Sequence, residues 1–258
     1  MSAVTTALQA TRGRRASTSW PPVVIVAVVI AWITTVLVLD ADSTRWLQRL
    51  LGLATWAVLV VVACRESPLV RMQTAVVVVF ASMVEFTFSP LLGVYVYRFH
   101  NVPMYVPPGH GLVYLAALAV GRTVVVQTRT RLCTVLVLVA VGADAAYGLV
   151  LAARPDVLGA FWFLCLAGFL LRGPSPGLYV GAAVVVTYLE LVGTSLGTWT
   201  WQPHDPTGLV SVGNPPSGVA GGYGWFDLVA LVLAPSLLAG ARSLTPRFRR
   251  SRSTDRRG

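Results

Sequence analysis

The sequence contains no lysine and few charged residues of any kind. All 20 basic residues among the 258 are arginines, and charged residues make up 12% of the chain. Because a soluble domain carries about 25% charged residues, this composition excludes an ordinary cytosolic enzyme, a disordered chain and a collagen-like chain. The absence of lysine also excludes the Schiff base on which a retinal-binding opsin or a pyridoxal phosphate enzyme depends.

Several motifs of known chemistry are missing as well. The sequence has no GxxxxGK[ST] P-loop, no HExxH, no GxSxG and no DDxxD-type acidic cluster, so we expect neither an ATPase, a zincin nor a prenyl-diphosphate transferase, and no cofactor. Cys64, Cys133 and Cys165 lie in or beside apolar runs without a CxxC pair. They are predicted to be small buried apolar residues rather than a disulfide or a zinc site.

What the sequence does have is long apolar runs. Hydrophobic residues make up 55% of the chain, and the mean hydropathy is +0.71. A membrane-spanning helix needs about 20 apolar residues, and the pattern predicts an all-α integral membrane protein with eight transmembrane helices. The first is expected to be retained rather than cleaved as a signal peptide, because it lacks a small-x-small exit site. The predicted helices cover residues 22–39, 46–64, 74–92, 108–120, 132–151, 157–171, 178–196 and 217–238.

The arginines are distributed unevenly between the two sets of loops. Only Arg45, Arg49, Arg98 and Arg154 lie in or beside the loops after odd-numbered segments, and the other 16 lie in the alternate loops and the two tails. By the positive-inside rule this predicts a multi-pass protein of the cell membrane with both termini cytoplasmic. The tail at 242–258, rich in arginine and serine, is expected to contact anionic lipid rather than nucleic acid. The sequence indicates no oligomeric state.

An internal repeat divides the chain into two halves. Glu85 is followed by GVYVYRFHNVP and then by PPGHG, and Glu190 is followed by GTWTWQPHDP and then by NPPSG, in the same order and with nearly the same spacing. We therefore predict a cytoplasmic basic tail at 1–21, a first four-helix repeat at 22–130, a second at 131–241, and a cytoplasmic tail at 242–258. An even number of helices per repeat gives a parallel repeat about an axis along the membrane normal.

The two glutamates are the first candidates for chemistry. Glu85 and Glu190 lie inside apolar segments, where an ionised group costs at least about 2.5 kcal/mol, so burial favours the neutral acid, a proton donor. The repeat predicts that both face one cavity, which opens on the extracytoplasmic side. Two alternatives are a protonated glutamate bonded to a backbone carbonyl and a glutamate paired with Arg65 or Arg172.

The other acids and the histidines each have two alternative roles. Asp144 and Asp227 also lie in apolar segments but have no counterpart in the first half, so they either set which end of a substrate reacts or pack helices together. His100 and His204 recur in an aromatic-x-aromatic-x-x-His motif. With the glutamates they offer four metal ligands, although the spacing matches no defined metal motif. His110 is expected to be a cap or loop residue, with substrate contact as the alternative.

Four aromatic residues alternate with other residues after the glutamates. Tyr95, Tyr97, Trp199 and Trp201 fit an aromatic belt at the outer membrane interface. They also fit a set of aromatic faces that stabilise a carbocation in the substrate. The sequence alone leaves both interpretations open.

The order of these features resembles the membrane-bound carotenoid hydratase family. The shared pattern is a glutamate, a short spacer, Gly-x-aromatic-x-aromatic and a Val-Pro step. This resemblance, and that to the related heterodimer-type lycopene cyclases, implies a polyhelical protein that acts on polyene ends by proton chemistry. The matching residues are Glu85, Gly93, Tyr95, Tyr97, Val102 and Pro103 in the first half, and Glu190, Gly193, Thr194, Gly197, Trp199 and Trp201 in the second.

Together these features predict a lyase or hydratase that protonates, hydrates or cyclises an isoprenoid or carotenoid-like lipid drawn from the bilayer. Glu85 or Glu190 would be the acid, the aromatic residues would shelter the cation, and one histidine would orient water or act as the base. A small-solute or proton-coupled transporter remains an alternative, because parallel repeats with acids at mid-membrane suit it equally. A membrane scaffold without catalysis is the third.

Overall fold

The structure is a computed structural model that describes residues 20–254. Most of the predicted N-terminal tail, residues 1–19, and the last four residues of the C-terminal tail lie outside the described residues. The described chain is mostly helical. Its helices are α1 (Pro22–Ala41), α2 (Arg45–Cys64), α3 (Pro68–Phe86), α4 (Val106–Gly121), α5 (Val124–Thr128), α6 (Thr130–Val150), α7 (Val157–Arg172), α8 (Pro176–Ser195) and α9 (Ala220–Thr254).

Six helices of the described chain are long and apolar enough to cross a membrane. They are α1, α2, α3 with its extension to Leu91, α6, α8 and the Ala220–Ala241 part of α9. This agrees with the prediction of a helical integral membrane protein. Helices α4 and α7 are apolar but have only 16 residues each, which is fewer than the 20 or so residues that usually span a bilayer.

Side-chain caps set where several helices begin. Thr44 accepts a hydrogen bond from the Leu47 amide at the start of α2, and Ser67 does the same for Val70 at the start of α3. The carboxylate of Asp156 caps α7 in the same way. These oxygens satisfy amide groups that have no partner inside the helix, so the short loops fix where each apolar segment enters the bundle.

Helix α3 does not end abruptly. After Phe86 the backbone widens into one π-helical turn, Thr87–Leu91, which contains Pro90. Proline has no amide hydrogen to donate and clashes with the preceding turn, so the regular hydrogen-bond ladder cannot continue through it. Gly93 then adopts a φ of +64° and reverses the chain.

Two short strands show that the fold is not purely α-helical. Strands β1 (Tyr95–Tyr97) and β2 (Trp199–Trp201) pair antiparallel, with Tyr95 opposite Trp201 and Tyr97 opposite Trp199. The prediction from the sequence includes no strands, although an aromatic residue at every second position is a strand pattern. Each strand follows a glycine with positive φ, at Gly93 and Gly197, a conformation that other residues rarely adopt.

Small residues bring the central helices together. A Cβ atom on Gly181 of α8 would lie 2.0 Å from the carbonyl oxygen of Ala117 on α4, and one on Gly121 would lie 2.6 Å from that of Gly177. Such contacts allow close packing of helices inside a membrane. Helix α3 packs in turn against α9, whereas α1 packs mainly against α4 and α6 mainly against α7.

The three cysteines are free. Cys133 and Cys165 are partly buried, but Cys64 is exposed, so the prediction of a buried residue is wrong for Cys64. It is the last residue of α2, where the neighbouring Val60 and Val61 also face outward.

Candidate functional site

A cavity of about 390 Å³ lies beneath the paired strands β1 and β2. Helices α1, α3, α4, α7, α8 and α9 supply most of its walls, and aromatic and aliphatic side chains dominate the lining. Its polar groups are few and include Glu85, Glu190 and His110. The two glutamates thus line one cavity, as the repeat predicted. A volume of 300–1,000 Å³ with a few convergent polar groups is typical of a small-molecule site.

Glu85, on α3, is held by two tyrosines and a histidine. Its Oε2 atom accepts hydrogen bonds from the hydroxyl groups of Tyr95 at 2.9 Å and Tyr97 at 2.8 Å. Its Oε1 atom lies 2.8 Å from Nε2 of His110. Burial, and then the charge of Glu85, raise the pKa of both tyrosines well above the ordinary value, so both remain donors. These partners replace the arginine pairing that was an alternative for this residue.

Glu190, on α8, is held by two tryptophans. Its Oε2 atom accepts hydrogen bonds from the indole N–H groups of Trp199 at 3.0 Å and Trp201 at 3.1 Å. Its Oε1 atom has a longer contact, 3.5 Å, with the Tyr223 hydroxyl. Gly193 makes this arrangement possible, because a Cβ atom there would lie 1.8 Å from the Trp199 ring.

The aromatic residues point inward rather than along the membrane surface. Alternate residues of a strand share one face, so Tyr95 and Tyr97 point the same way, as do Trp199 and Trp201. All four are buried and line the cavity, which argues against an interfacial belt. Their rings also meet across the strand pair, with the centroids of Tyr95 and Trp201 4.6 Å apart.

The two carboxyl groups differ in what their free atoms can do. An indole N–H can only donate, so Oε2 of Glu190 is an acceptor, and a proton on this residue belongs on Oε1. Oε1 has only the long contact with Tyr223 and is available to a substrate. Glu85 has a short contact on each oxygen, so neither oxygen is left without a close partner.

The structure does not bring every predicted site residue to the cavity. His100 and His204 are exposed in the segments after β1 and β2, and Asp144 is exposed on α6; none of the three lines the cavity. Over residues 20–254 no group of three or more His, Cys, Asp or Glu side chains is placed to hold a metal ion. The loop histidines and the glutamates are therefore not assembled as a metal site.

His110 and Asp227 are both buried. The expectation that His110 is a cap or loop residue is wrong, since it lies inside α4, with its ring 5.2 Å from that of Tyr223 and 5.4 Å from that of Phe226. Asp227 lies on α9 and lines a second, smaller space that also borders His110.

Sequence reasoning missed three residues that support the site. Tyr223 approaches Glu190, as described above. Asp40, fully buried, accepts hydrogen bonds from Ser43, Gln48 and Tyr105. Asp156 accepts hydrogen bonds from the amides of residues 213 and 217, fixing the segment that follows β2. For the two aspartates, the available signal was their position: Asp40 directly follows one apolar segment and Asp156 directly precedes another.

Comparison of the chain with protein-family models finds no match, and no curated protein or solved structure matches it either.

Proposed function

We propose that the protein is a membrane enzyme that protonates a carbon–carbon double bond of an isoprenoid or carotenoid-like lipid and so leads to its hydration or cyclisation. The observation that carries the proposal is the pair of hydrogen-bonded carboxyl groups in one largely apolar, aromatic-lined cavity. The apolar walls suit a hydrocarbon substrate. The aromatic faces suit the positive charge that protonation creates, since rings attract a cation placed over them.

The contacts favour different roles for the two glutamates. Glu190 is the acid, because its Oε1 atom is free to hold a proton and deliver it to a substrate carbon. Glu85 and His110 form the basic pair. In hydration a water molecule adds to the carbocation and gives a proton to this pair. In cyclisation a second double bond of the substrate attacks the carbocation and closes the ring, and the new carbocation loses a proton to the pair. A proton must then return to Glu190, so the site is unchanged after each turnover.

The surroundings of the cavity offer a route from the lipid phase. Leu92, after α3, and Trp225, on α9, line the cavity and are 43% and 45% exposed, so two apolar lining residues are also partly exposed at the surface. On another side α1 contributes Trp32 and Ile33 to the wall. Asp205 and Pro206 form a further margin, beside a loop that water can reach.

The proposed topology is eight spans in two four-helix repeats, with both termini cytoplasmic and the β1–β2 strand pair on the extracytoplasmic side. The contacts of α3 with α9 and of α4 with α8 would be exchanged by a half-turn that superposes the repeats. The same rotation would exchange the two strands and the two glutamates. Helices α1 and α6 depart from this symmetry, since they pack mainly against α4 and α7 respectively.

A comparison of lipid extracts tests the activity. Wild type, Glu85→Gln, Glu190→Gln and Asp144→Asn are expressed at matched membrane levels in cells that accumulate an acyclic isoprenoid polyene. Glutamine keeps the shape of glutamate but cannot donate the proton. We expect wild type and the exposed-site control Asp144→Asn to convert the polyene, Glu190→Gln to abolish conversion and Glu85→Gln to reduce it. If wild type changes no lipid, or both glutamine variants convert it fully, a transporter or a scaffold replaces the enzyme.

A further inference from the structure

A second, much smaller chamber lies next to the main cavity, on the other side of His110. Its volume is about 10 Å³. His110 and Tyr114 of α4 border it, together with Asp227 of α9, and its remaining walls are mostly apolar. Because His110 lines both spaces and its Nε2 atom contacts Glu85, Nδ1 is the ring nitrogen that remains for a partner in the second chamber.

Two polar atoms at this chamber have no partner. Nδ1 of His110 and Oδ2 of Asp227 make no hydrogen bond within the part of the chain that the structure describes. Both residues are buried, with exposed fractions of 5% and 4%. A buried polar group without a partner costs about 1–3 kcal/mol, and there is no lipid-side water to relieve it. Two such atoms at one chamber therefore indicate an occupant that can hydrogen-bond.

We propose that this chamber holds one water molecule, which donates one hydrogen to Nδ1 of His110 and the other to Oδ2 of Asp227. A buried water needs about 10–15 Å³ and two to four polar partners. The chamber, at about 10 Å³, reaches the lower end of that range, and two of its lining residues have a polar atom without a partner. The water makes Nδ1 an acceptor, so Nε2 carries the hydrogen and donates it to Oε1 of Glu85. Asp227 is thus a positioning residue that selects the tautomer of His110.

The water site rests on the chamber alone, whereas its importance for catalysis rests on the proposed function. Nuclear magnetic resonance tests the site without turnover. The protein has only three histidines, so protein labelled with ¹⁵N-histidine gives three sets of imidazole signals. The His110→Gln variant identifies the set from His110. The nitrogen shifts report which ring nitrogen carries the hydrogen, and transfer of magnetisation from water reports contact with the ring.

We expect Nδ1 of His110 to be unprotonated and hydrogen-bonded, with transfer from a bound water. Asp227→Val should shift the Nδ1 signal and raise the population of the other tautomer. Asp227→Asn, which keeps an oxygen and the side-chain size, should preserve the water and most of the tautomer preference, and serves if the valine variant fails to fold. Asp144→Asn should change nothing. An Nδ1 that carries hydrogen in wild type, an absence of water contact, or a His110 spectrum indifferent to both Asp227 variants would overturn the proposal.

Discussion

Replacing Gly193 by alanine tests how tightly strand β2 packs against α8. An alanine Cβ at this position would lie 1.8 Å from the nearest atom of the Trp199 ring, and two further ring atoms would lie within 2.4 Å. Ordinary contact begins at 3.4 Å, so the ring must retreat by 1.6 Å. The hydrogen bond from Trp199 to Glu190 is already 3.0 Å long, and a retreat of that size takes it outside the normal range of 2.7–3.2 Å.

The cost has two parts. Forcing a side chain out of a packed position costs about 1–3 kcal/mol, and the lost hydrogen bond adds about 1 kcal/mol. Alanine recovers up to about 1 kcal/mol of helix propensity. We therefore expect Gly193→Ala to lower the free energy of unfolding by about 1–3 kcal/mol, measured by denaturant titration in mixed micelles.

Gly168 provides the matched control. It lies inside α7, and a Cβ atom there would have nothing within 4 Å, so Gly168→Ala should be neutral or slightly stabilising. The Gly193→Ala change is then repeated in a Trp199→Ala background, where its cost should largely disappear. Equal stability of Gly193→Ala and Gly168→Ala, or an equal cost in both backgrounds, would show that the ring does not pack on α8 as described.

Three further predictions concern topology, the segment after β2 and its acidic turn. Reporter domains fused after Leu92 and after Leu196 should both be extracytoplasmic, and a cytoplasmic signal at both would contradict the eight-span arrangement. Asp156→Ala should leave several buried amides without an acceptor, at a cost of about 1–3 kcal/mol each, and so speed proteolysis after β2. Asp156→Asn should have a smaller effect. If the alanine variant resists proteolysis as well as wild type does, Asp156 does not anchor this segment. The Thr207 hydroxyl and then nearby backbone amides lower the pKa of the partly exposed Asp205. This turn should therefore stay ordered at neutral pH and loosen as pH falls through that lowered pKa. The loosening should change the amide chemical shifts of the turn, and Asp205→Ala should show the shifts of the loosened turn at every pH.

The glutamate pair was predictable because both residues break apolar segments at equivalent places. Membrane burial makes such an acid conspicuous, and repetition predicts a shared environment. The partners were less predictable. The same aromatic residues suit both a belt at the membrane interface and the lining of a cavity. Only the structure shows that the strand turns Tyr95 and Tyr97 inward, where both donate hydrogen bonds to Glu85.

His110 was expected to be a cap or loop residue. Proline is favoured in the first turn of a helix, and here Pro107 and Pro108 open α4 and place His110 inside it. Repetition misled in the opposite direction for His100 and His204, which recur but do not line the cavity. Asp156 depended on partners as many as 61 residues away, and no local pattern reports such a contact.

The pairing of β1 with β2 has a bearing on how such a chain could arise. An antiparallel pair of equal strands maps onto itself when turned by 180°, and here the centre of the pair is Val96 opposite Thr200. A polypeptide with a single such strand would therefore find the same pairing in a second identical molecule, without any new contact surface. Joining two copies in one gene would then let each strand change independently. The contrast between hydroxyl donors on one glutamate and indole donors on the other is the kind of specialisation that an identical pair could never acquire.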